Sequence, residues 1–199
     1  MRTLLIAFLI LGMGAPAFAQ TAAAKAGATA QTPATLAPLW RVDTANSSIG
    51  FASSVDGTGF RGVFQRWSAG VRFDPANLAG SSIRVIVEPA SASSGLADRD
   101  KTLQEADWFD TARHRQVVFQ ANTIRSVGTG RYEAVGALTV KGRAVPVTLP
   151  FTVTITGSSA VAQGALTLDR TQLGLGAAIP ADLVPAAVAV TVRVTATRM

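Results

Sequence analysis

From Val145 to Ile155 every odd position is apolar (Val145, Val147, Leu149, Phe151, Val153, Ile155), and between them stand Pro146, Thr148, Pro150, Thr152 and Thr154. A period of two over so long a run predicts a strand with one apolar and one polar face. At about 3.3 Å per residue the run spans roughly 36 Å, nearly twice a common strand, and that length suits a barrel or a large curved sheet. Upstream, Tyr132, Ala134, Leu138 and Val140 share one parity, and Lys141-Gly142-Arg143 supplies a Gly-containing turn, so Gly136 to Thr156 reads as a β-hairpin. Alternate residues aim their N–H at the same neighbour. Pro146 and Pro150 therefore remove two ladder donors on one side only, and that side should be an edge, a bulge or a seam.

The same alternation recurs along the chain. Trp40 to Asp43 and Ser48 to Phe51 read as two short segments, followed by Phe60 and Phe64 on one face around Gly62, and by Trp67, Ala69, Val71 and Phe73. Gly62 either lets something approach closely or marks a bend or bulge. Asp74-Pro75 is turn chemistry. Ile83, Val85 and Val87, then Val117 to Phe119 with Ile124, then Gly164 to Asp169, and finally Val188, Val190, Val192, Val194 and Ala196 complete the pattern. Ser91 to His114 breaks it. There Asp98 or a nearby Ser suits a helix cap, Asp100 suits the first turn, Lys101 and Glu105 are spaced as helix partners, and Leu96, Leu103, Trp108 and Phe109 are the expected buried points. About eight strands with short turns and one helical insert over a barrel mouth predict an all-β fold, an eight-stranded antiparallel β-barrel.

Composition sets the frame: 199 residues, 48% hydrophobic and 15% charged, make one domain with enough apolar material for a core. There is no cysteine, which removes disulfides and thiolate chemistry. Residues 1–19 carry a basic start at Arg2, an apolar run and Ala17-Phe18-Ala19, the pattern of a secretory signal peptide cleaved before Gln20. The alternative, an uncleaved anchor, is disfavoured because the run is shorter than the roughly 20 residues that span a bilayer. Residues 20–38, rich in Ala and Thr, read as a disordered leader, and residues 39–199 as the domain. The expected location is the periplasm. The net charge of +6 is carried by scattered arginines with no nucleic-acid motif, so it reads as a scarcity of acids and not as a nucleic-acid surface. The single histidine, His114, lacks a second one for a triad or a metal site, so neither a catalytic residue nor a metal ligand set is assigned.

Gly136-Ala-Leu-Thr-Val-Lys-Gly-Arg-Ala-Val-Pro-Val-Thr-Leu-Pro resembles the hairpin of the YceI-like periplasmic proteins. Trp40 to Phe51, Phe60 to Phe64, Trp67 to Leu78 and Gly95 to Asp110 resemble that family's further segments in the same order. The resemblance implies a lipocalin-like barrel that carries, without catalysis, a long apolar molecule: an isoprenoid, an isoprenoid quinone or a fatty-acyl lipid. No other cofactor is implied. Combined with parity, it gives Phe51, Phe60, Phe64, Trp67, Phe73, Trp108, Phe109, Phe119, Leu138, Val147, Leu149 and Phe151 as the ligand-binding wall. Arg99 and Asp100 match the family's Arg-Asp step; they either engage a head group or pair to hold the insert in place. The chain departs from the family pattern at Val55-Asp56-Gly57, at Ala112 to Arg115 and at Leu183-Val184-Pro185, all expected near the mouth.

Alternation alone does not distinguish a hollow barrel from one filled by its own side chains. Two rivals therefore stand beside the carrier: a solid-core periplasmic stress-related protein, and a small outer-membrane barrel. The last is opposed by a single Tyr, the helical insert and a C-terminus ending Thr-Arg-Met. Transient contact with a membrane and pairing of an exposed edge with a second copy are compatible with either soluble reading.

Overall fold

The computed structural model describes residues 35–199; the expected signal peptide and most of the expected leader lie outside the described residues. Ten strands follow in order: β1 (Leu39–Val55), β2 (Thr58–Phe64), β3 (Trp67–Arg72), β4 (Ser82–Val87), β5 (Ala92–Ser93), β6 (Val117–Gly128), β7 (Arg131–Val140), β8 (Arg143–Thr156), β9 (Ser159–Asp169) and β10 (Ala187–Arg198). One short helix, α1 (Ala97–Thr102), lies between β5 and β6. Eight of the strands close a ring in the order β1-β10-β9-β8-β7-β6-β4-β3, every pairing antiparallel, and β3 returns to β1. The fold is the eight-stranded antiparallel barrel that the alternation predicts, lipocalin-like, with very little helix.

Two features differ from the sequence reading in detail. The segments at Trp40 and Ser48 belong to one strand, whose register against β10 shifts between Asp43 and Ser48. In that bulge the Asp43 carboxylate accepts hydrogen bonds from Asn46 Nδ2 and from the backbone N–H groups of Ala45 and Asn46. β2 and β3 together form one strand bent at Gln65-Arg66. The wall bends with it: Glu88 N donates to Arg66 O and Gln65 N to Ser91 O. Arg66 also pairs with Glu88 at 2.6 Å. The bend sends β2 up beside the far half of β1, where it meets β5 through Val63 and Phe64.

The helical insert is shorter than its punctuation suggests and is capped differently. Leu96 occupies the N-cap without a side-chain hydrogen bond, because Ser94 is already committed to Asp100 through both its N–H and its hydroxyl. Lys101 and Glu105 form no ion pair among the described residues. Leu103 is buried as expected, whereas Leu96 is 51% exposed on the rim, so it is not a buried point of the insert.

The core is concentrated at one end. Trp40, Phe73, Ala121, Ile124, Tyr132, Ala134, Ala160 and Ala196 pack there as a buried cluster. Phe73 meets Tyr132 edge-on at 5.0 Å and Phe151 at 5.9 Å, and Tyr132 stacks on Phe151 at 5.6 Å. Trp40 Nε1 donates to Phe73 O at 2.9 Å, which pairs the one polar atom of a buried indole. These rings are long enough to meet across the barrel, and alanines on neighbouring strands make room for them. This end is a floor.

Candidate ligand-binding cavity

Above the floor the inward side chains do not meet. Phe151, Val153 and Ile155 of β8 pack against the floor, but Val145, Val147 and Leu149 beyond it point inward and keep part of their surface accessible. A solid core would bury them. The space they leave is largely apolar and falls into two adjoining chambers. A lower chamber of about 180 Å³ presents no polar surface and lies against Trp67, Phe73, Phe119, Val147, Leu149 and Phe151. An upper chamber of about 490 Å³ lies against Phe51, Phe60, Phe64, Trp108 and Phe109. Ile49, Val87, Leu138, Leu168 and Val190 line both, so they form a waist between two parts of one cavity. The scale is that of a small-molecule site. All twelve residues named from the sequence for the wall lie on this cavity.

The upper chamber is built from three pieces of chain. β1 and β2 bring Phe51, Phe60 and Phe64, with Phe51–Phe60 ring centroids 6.4 Å apart and Phe51–Phe64 5.1 Å. Phe51 is paired with Gly62, and a Cβ at Gly62 would collide with the Phe51 ring. The group that Gly62 lets approach is thus an aromatic ring of the chain itself. The insert brings Phe109, edge-on to Phe64 at 6.1 Å, together with Trp108, Leu103 and the rim residue Leu96. The third piece, residues 170–186, brings Leu173, Leu175, Ile179, Leu183 and Val184.

Sequence reasoning marked only Leu183-Val184-Pro185 of this third piece, as a departure near the mouth, and missed its organiser, Arg170. The side chain is 1% exposed, yet no carboxylate neutralises it among the described residues. All of its donors go to backbone carbonyls: Nε to Pro185 O at 3.1 Å, Nη1 to Leu175 O at 3.1 Å and to Gly176 O, and Nη2 to Ile179 O at 2.8 Å and Val184 O at 2.7 Å. A rigid fork with five N–H groups can gather a loop that has no ladder of its own. The loop is then tied to its surroundings. Gly176 N donates to Asp107 O at 2.6 Å, Asp56 N to Leu183 O at 2.8 Å, and Lys141 Nζ both to Gly174 O of the loop at 3.4 Å and to Ala106 O of the insert at 2.7 Å. The turn of the central hairpin, with Lys141 and Gly142 both at positive φ (50° and 76°), thereby supports the mouth.

Arg99 and Asp100 separate in role. Asp100 accepts from Ser94 N and Ser94 Oγ and so fixes the start of the insert. Arg99 lies over the Phe60 ring at 3.9 Å and lines the upper chamber. Its one hydrogen bond among the described residues is a long one, 3.4 Å to Ser94 O. Ser53, directly opposite Phe60 in the β1–β2 ladder, lines the same chamber, and its buried Oγ has no partner among the described residues. Free donors therefore flank Phe60 in a chamber whose other polar lining residues are Asp98, Thr102 and the saturated Arg170. Parity with Phe51 turns Ser53 and not Ser54 inward, but nothing in the sequence shows that the Ser53 hydroxyl goes unpaired. Among the described residues no cluster of His, Asp or Glu has the makings of a metal site.

Comparison with known proteins agrees with this architecture. A chain from Burkholderia cenocepacia, BcnA, superposes with a TM-score of 0.74 at 30% identity, covering 79% of this chain and all (100%) of that one. A polyisoprenoid binding domain from Saccharophagus degradans, implicated in plant cell wall breakdown, superposes with a TM-score of 0.64 at 15% identity over 83% of this chain and 100% of its own length. In sequence, a UPF0312 protein of Vibrio parahaemolyticus is 32% identical over 111 residues, 54% of this chain and 59% of that protein. The aligned part thus spans about three fifths of the length of this curated relative. The sequence model of the YceI-like domain matches residues 40–196, nearly the whole of the barrel, and the chain belongs to the YceI-like family.

Proposed function

We propose that this protein is a periplasmic carrier that holds the tail of a long apolar lipid, an isoprenoid, an isoprenoid quinone or an acyl chain, along the barrel, with the polar head at the mouth. The observation that carries the reading is the pair of adjoining, mostly apolar chambers, closed below by the aromatic floor, with the unpaired donors of Arg99 and Ser53 in the upper one. Tail burial supplies affinity. At about 0.8 kcal/mol per CH₂, two or three prenyl units approach the roughly 8 kcal/mol of a micromolar complex before ordering costs are subtracted. The tail is interchangeable in such a site, and the donors of Arg99 and Ser53 discriminate the head.

The arrangement of faces also favours a soluble carrier over an outer-membrane barrel. On β8 the outward positions are Pro146, Thr148, Pro150, Thr152 and Thr154 and the inward ones are apolar, the reverse of a barrel that faces lipid. A mouth rimmed by exposed Leu96, Leu183 and Val55 suits brief contact with a membrane or another carrier during loading.

Native mass spectrometry of protein taken from the periplasm without detergent, followed by solvent extraction, tests the proposal. The expected result is one isoprenoid or acyl lipid per chain. A clean apo mass that stays unchanged after incubation with isoprenoids and fatty acids would overturn it. Leu138→Phe adds a second arm, since it narrows the waist: occupancy should fall while the unfolding midpoint holds or rises. A loss of about 1–3 kcal/mol, as for overpacking a filled core, together with unchanged occupancy, would mean that the barrel is solid.

A further inference from the structure

Two stretches of the barrel wall lack a hydrogen-bond ladder. One, between β1 and β3, coincides with the Asp43–Ser48 bulge. The other has a covalent cause. β8 and β9 pair from Thr156↔Ser159 to Phe151↔Gly164 and then stop, although β8 extends to Arg143 and β9 to Asp169. In the β7–β8 hairpin the tight turn makes Val140 and Arg143 the first bonded pair, so odd residues of β8 aim their N–H at β7 and even residues aim theirs at β9. The next bond toward β9 would come from residue 150, and the one after Thr148 from residue 146. Both are proline and have no N–H to give. Of the edge, bulge or seam that the sequence leaves open for this side of β8, the structure has a seam, and Pro150 is where it begins.

This unpaired stretch borders the cavity. Val147 and Leu149 on one side of it and Leu166 and Leu168 on the other line the lower chamber. Outside, a depression bordered by Pro150, Thr152, Ala165 and Thr191 shares Phe151, Gln163, Gly164 and Val192 with that chamber. The gap is framed above by Leu173 and Leu175, which pack with Val140, Val145 and Leu168, and below by the Phe151–Gly164 pair. From Pro146 to Pro150 it is about 13 Å tall at the usual strand rise. The floor offers no such exit, because Trp40, Phe73, Tyr132 and Phe151 fill it.

We infer that the gap between β8 and β9 is a side window of the cavity, through which the far end of a ligand longer than the barrel interior projects. The inference rests on the carrier reading and deepens it: the ligands are linear apolar chains whose length is not capped by the floor. Affinity rises with chain length until the cavity is full and then levels off. A closed-ended barrel would instead reject the longer chains.

The chain has no cysteine, so Thr148→Cys with Thr167→Cys places two unique thiols on the outer face. The register of the ladder, carried past Phe151↔Gly164, sets these positions opposite each other across the window. The double variant is cross-linked with a short bismaleimide and titrated with farnesol and with octaprenol. Expected is unchanged farnesol affinity and at least a tenfold weaker affinity for octaprenol, with both bound normally before cross-linking. Pro146→Thr with Pro150→Thr restores the two donors without any reagent. It should slow amide exchange at Thr148 and produce the same selective loss. Octaprenol binding equal to that of the unmodified protein, with the bridge verified by mass or the ladder by amide protection, would overturn the window while leaving the carrier intact. Failure of the unmodified protein to bind either prenol or a long-chain fatty acid would instead overturn the carrier reading, and the window's ligand role with it.

Discussion

The floor and the mouth of this barrel are lined by the same kinds of residue, yet one is solid and the other hollow. At the floor, Trp40, Phe73 and Tyr132 reach across to one another, and Ala121, Ala134, Ala160 and Ala196 are buried beneath them. At the mouth, Phe51, Phe60 and Phe64 contact one another between the neighbouring strands β1 and β2, and Phe109 meets Phe64 edge-on from the insert. Phe51 lies on Gly62, and Arg99 covers Phe60. Valine and leucine line the stretch between and leave the two chambers open among them. The contrast teaches that apolar content does not decide whether a barrel is packed. What decides it is where the large residues sit and which way their rings turn.

That contrast can be broken most directly by comparing ring deletions. Phe73→Ala should cost about 3–5 kcal/mol, the usual loss for a packed aromatic, read by urea unfolding. Phe60→Ala removes a ring that already faces a cavity and should cost below about 1.5 kcal/mol while weakening ligand retention. Equal losses at the two positions would mean that the mouth is as tightly packed as the floor. Arg170→Met comes next. It leaves the carbonyls of Leu175, Gly176, Ile179, Val184 and Pro185 without their donor in a buried loop, and a loss of about 3 kcal/mol is expected. Arg170→Lys, with three donors in place of five, should recover only part of this. A loss below about 1 kcal/mol would show that the loop is held by other contacts.

The smallest effect is one of pH. Asp169 leads into the same loop, and its carboxylate is held below the usual range, chiefly by the Thr171 hydroxyl at 2.6 Å and then by the Thr171 N–H at 2.8 Å. A carboxylate with a lowered folded pKa stabilises the fold when ionised. Its contribution is complete above the ordinary aspartate pKa and disappears as pH falls through the folded value. The unfolding midpoint should therefore decline on acidification below the ordinary aspartate range, and Asp169→Asn should flatten part of that decline. An identical slope in the variant would mean that the carboxylate adds nothing to the mouth. Asp43, lowered in the same sense chiefly by Asn46, serves as the comparison near the floor.

How much of this was legible follows from the range of each interaction. Alternation fixes which way a strand residue faces, and so it places Trp67, Phe119, Val147 and Leu149 on the inner wall without any tertiary information. The prolines of β8 likewise announce a break in the ladder, because a missing N–H is a property of the residue itself. Leu96 shows the limit: it was expected to be buried for its hydrophobicity, but it stands on the rim, where the insert ends against open space. Arg170 shows it more clearly. Nothing local marks an arginine at the end of a strand as buried, because its partners are carbonyls spread over Leu175 to Pro185 that only the folded loop brings together.

By itself, then, the sequence determined the strands, their inward faces, the antiparallel barrel and the break beside Pro150. All of these follow from side-chain period and from the backbone chemistry of single residues. Tertiary structure alone decided that the barrel is hollow above its floor, that Phe51 folds onto Gly62, that Arg170 gathers the mouth loop, and that Ser53 and Arg99 bring free donors to one place. Each of these depends on how far apart residues remote in the chain come to lie, and no local pattern encodes that distance.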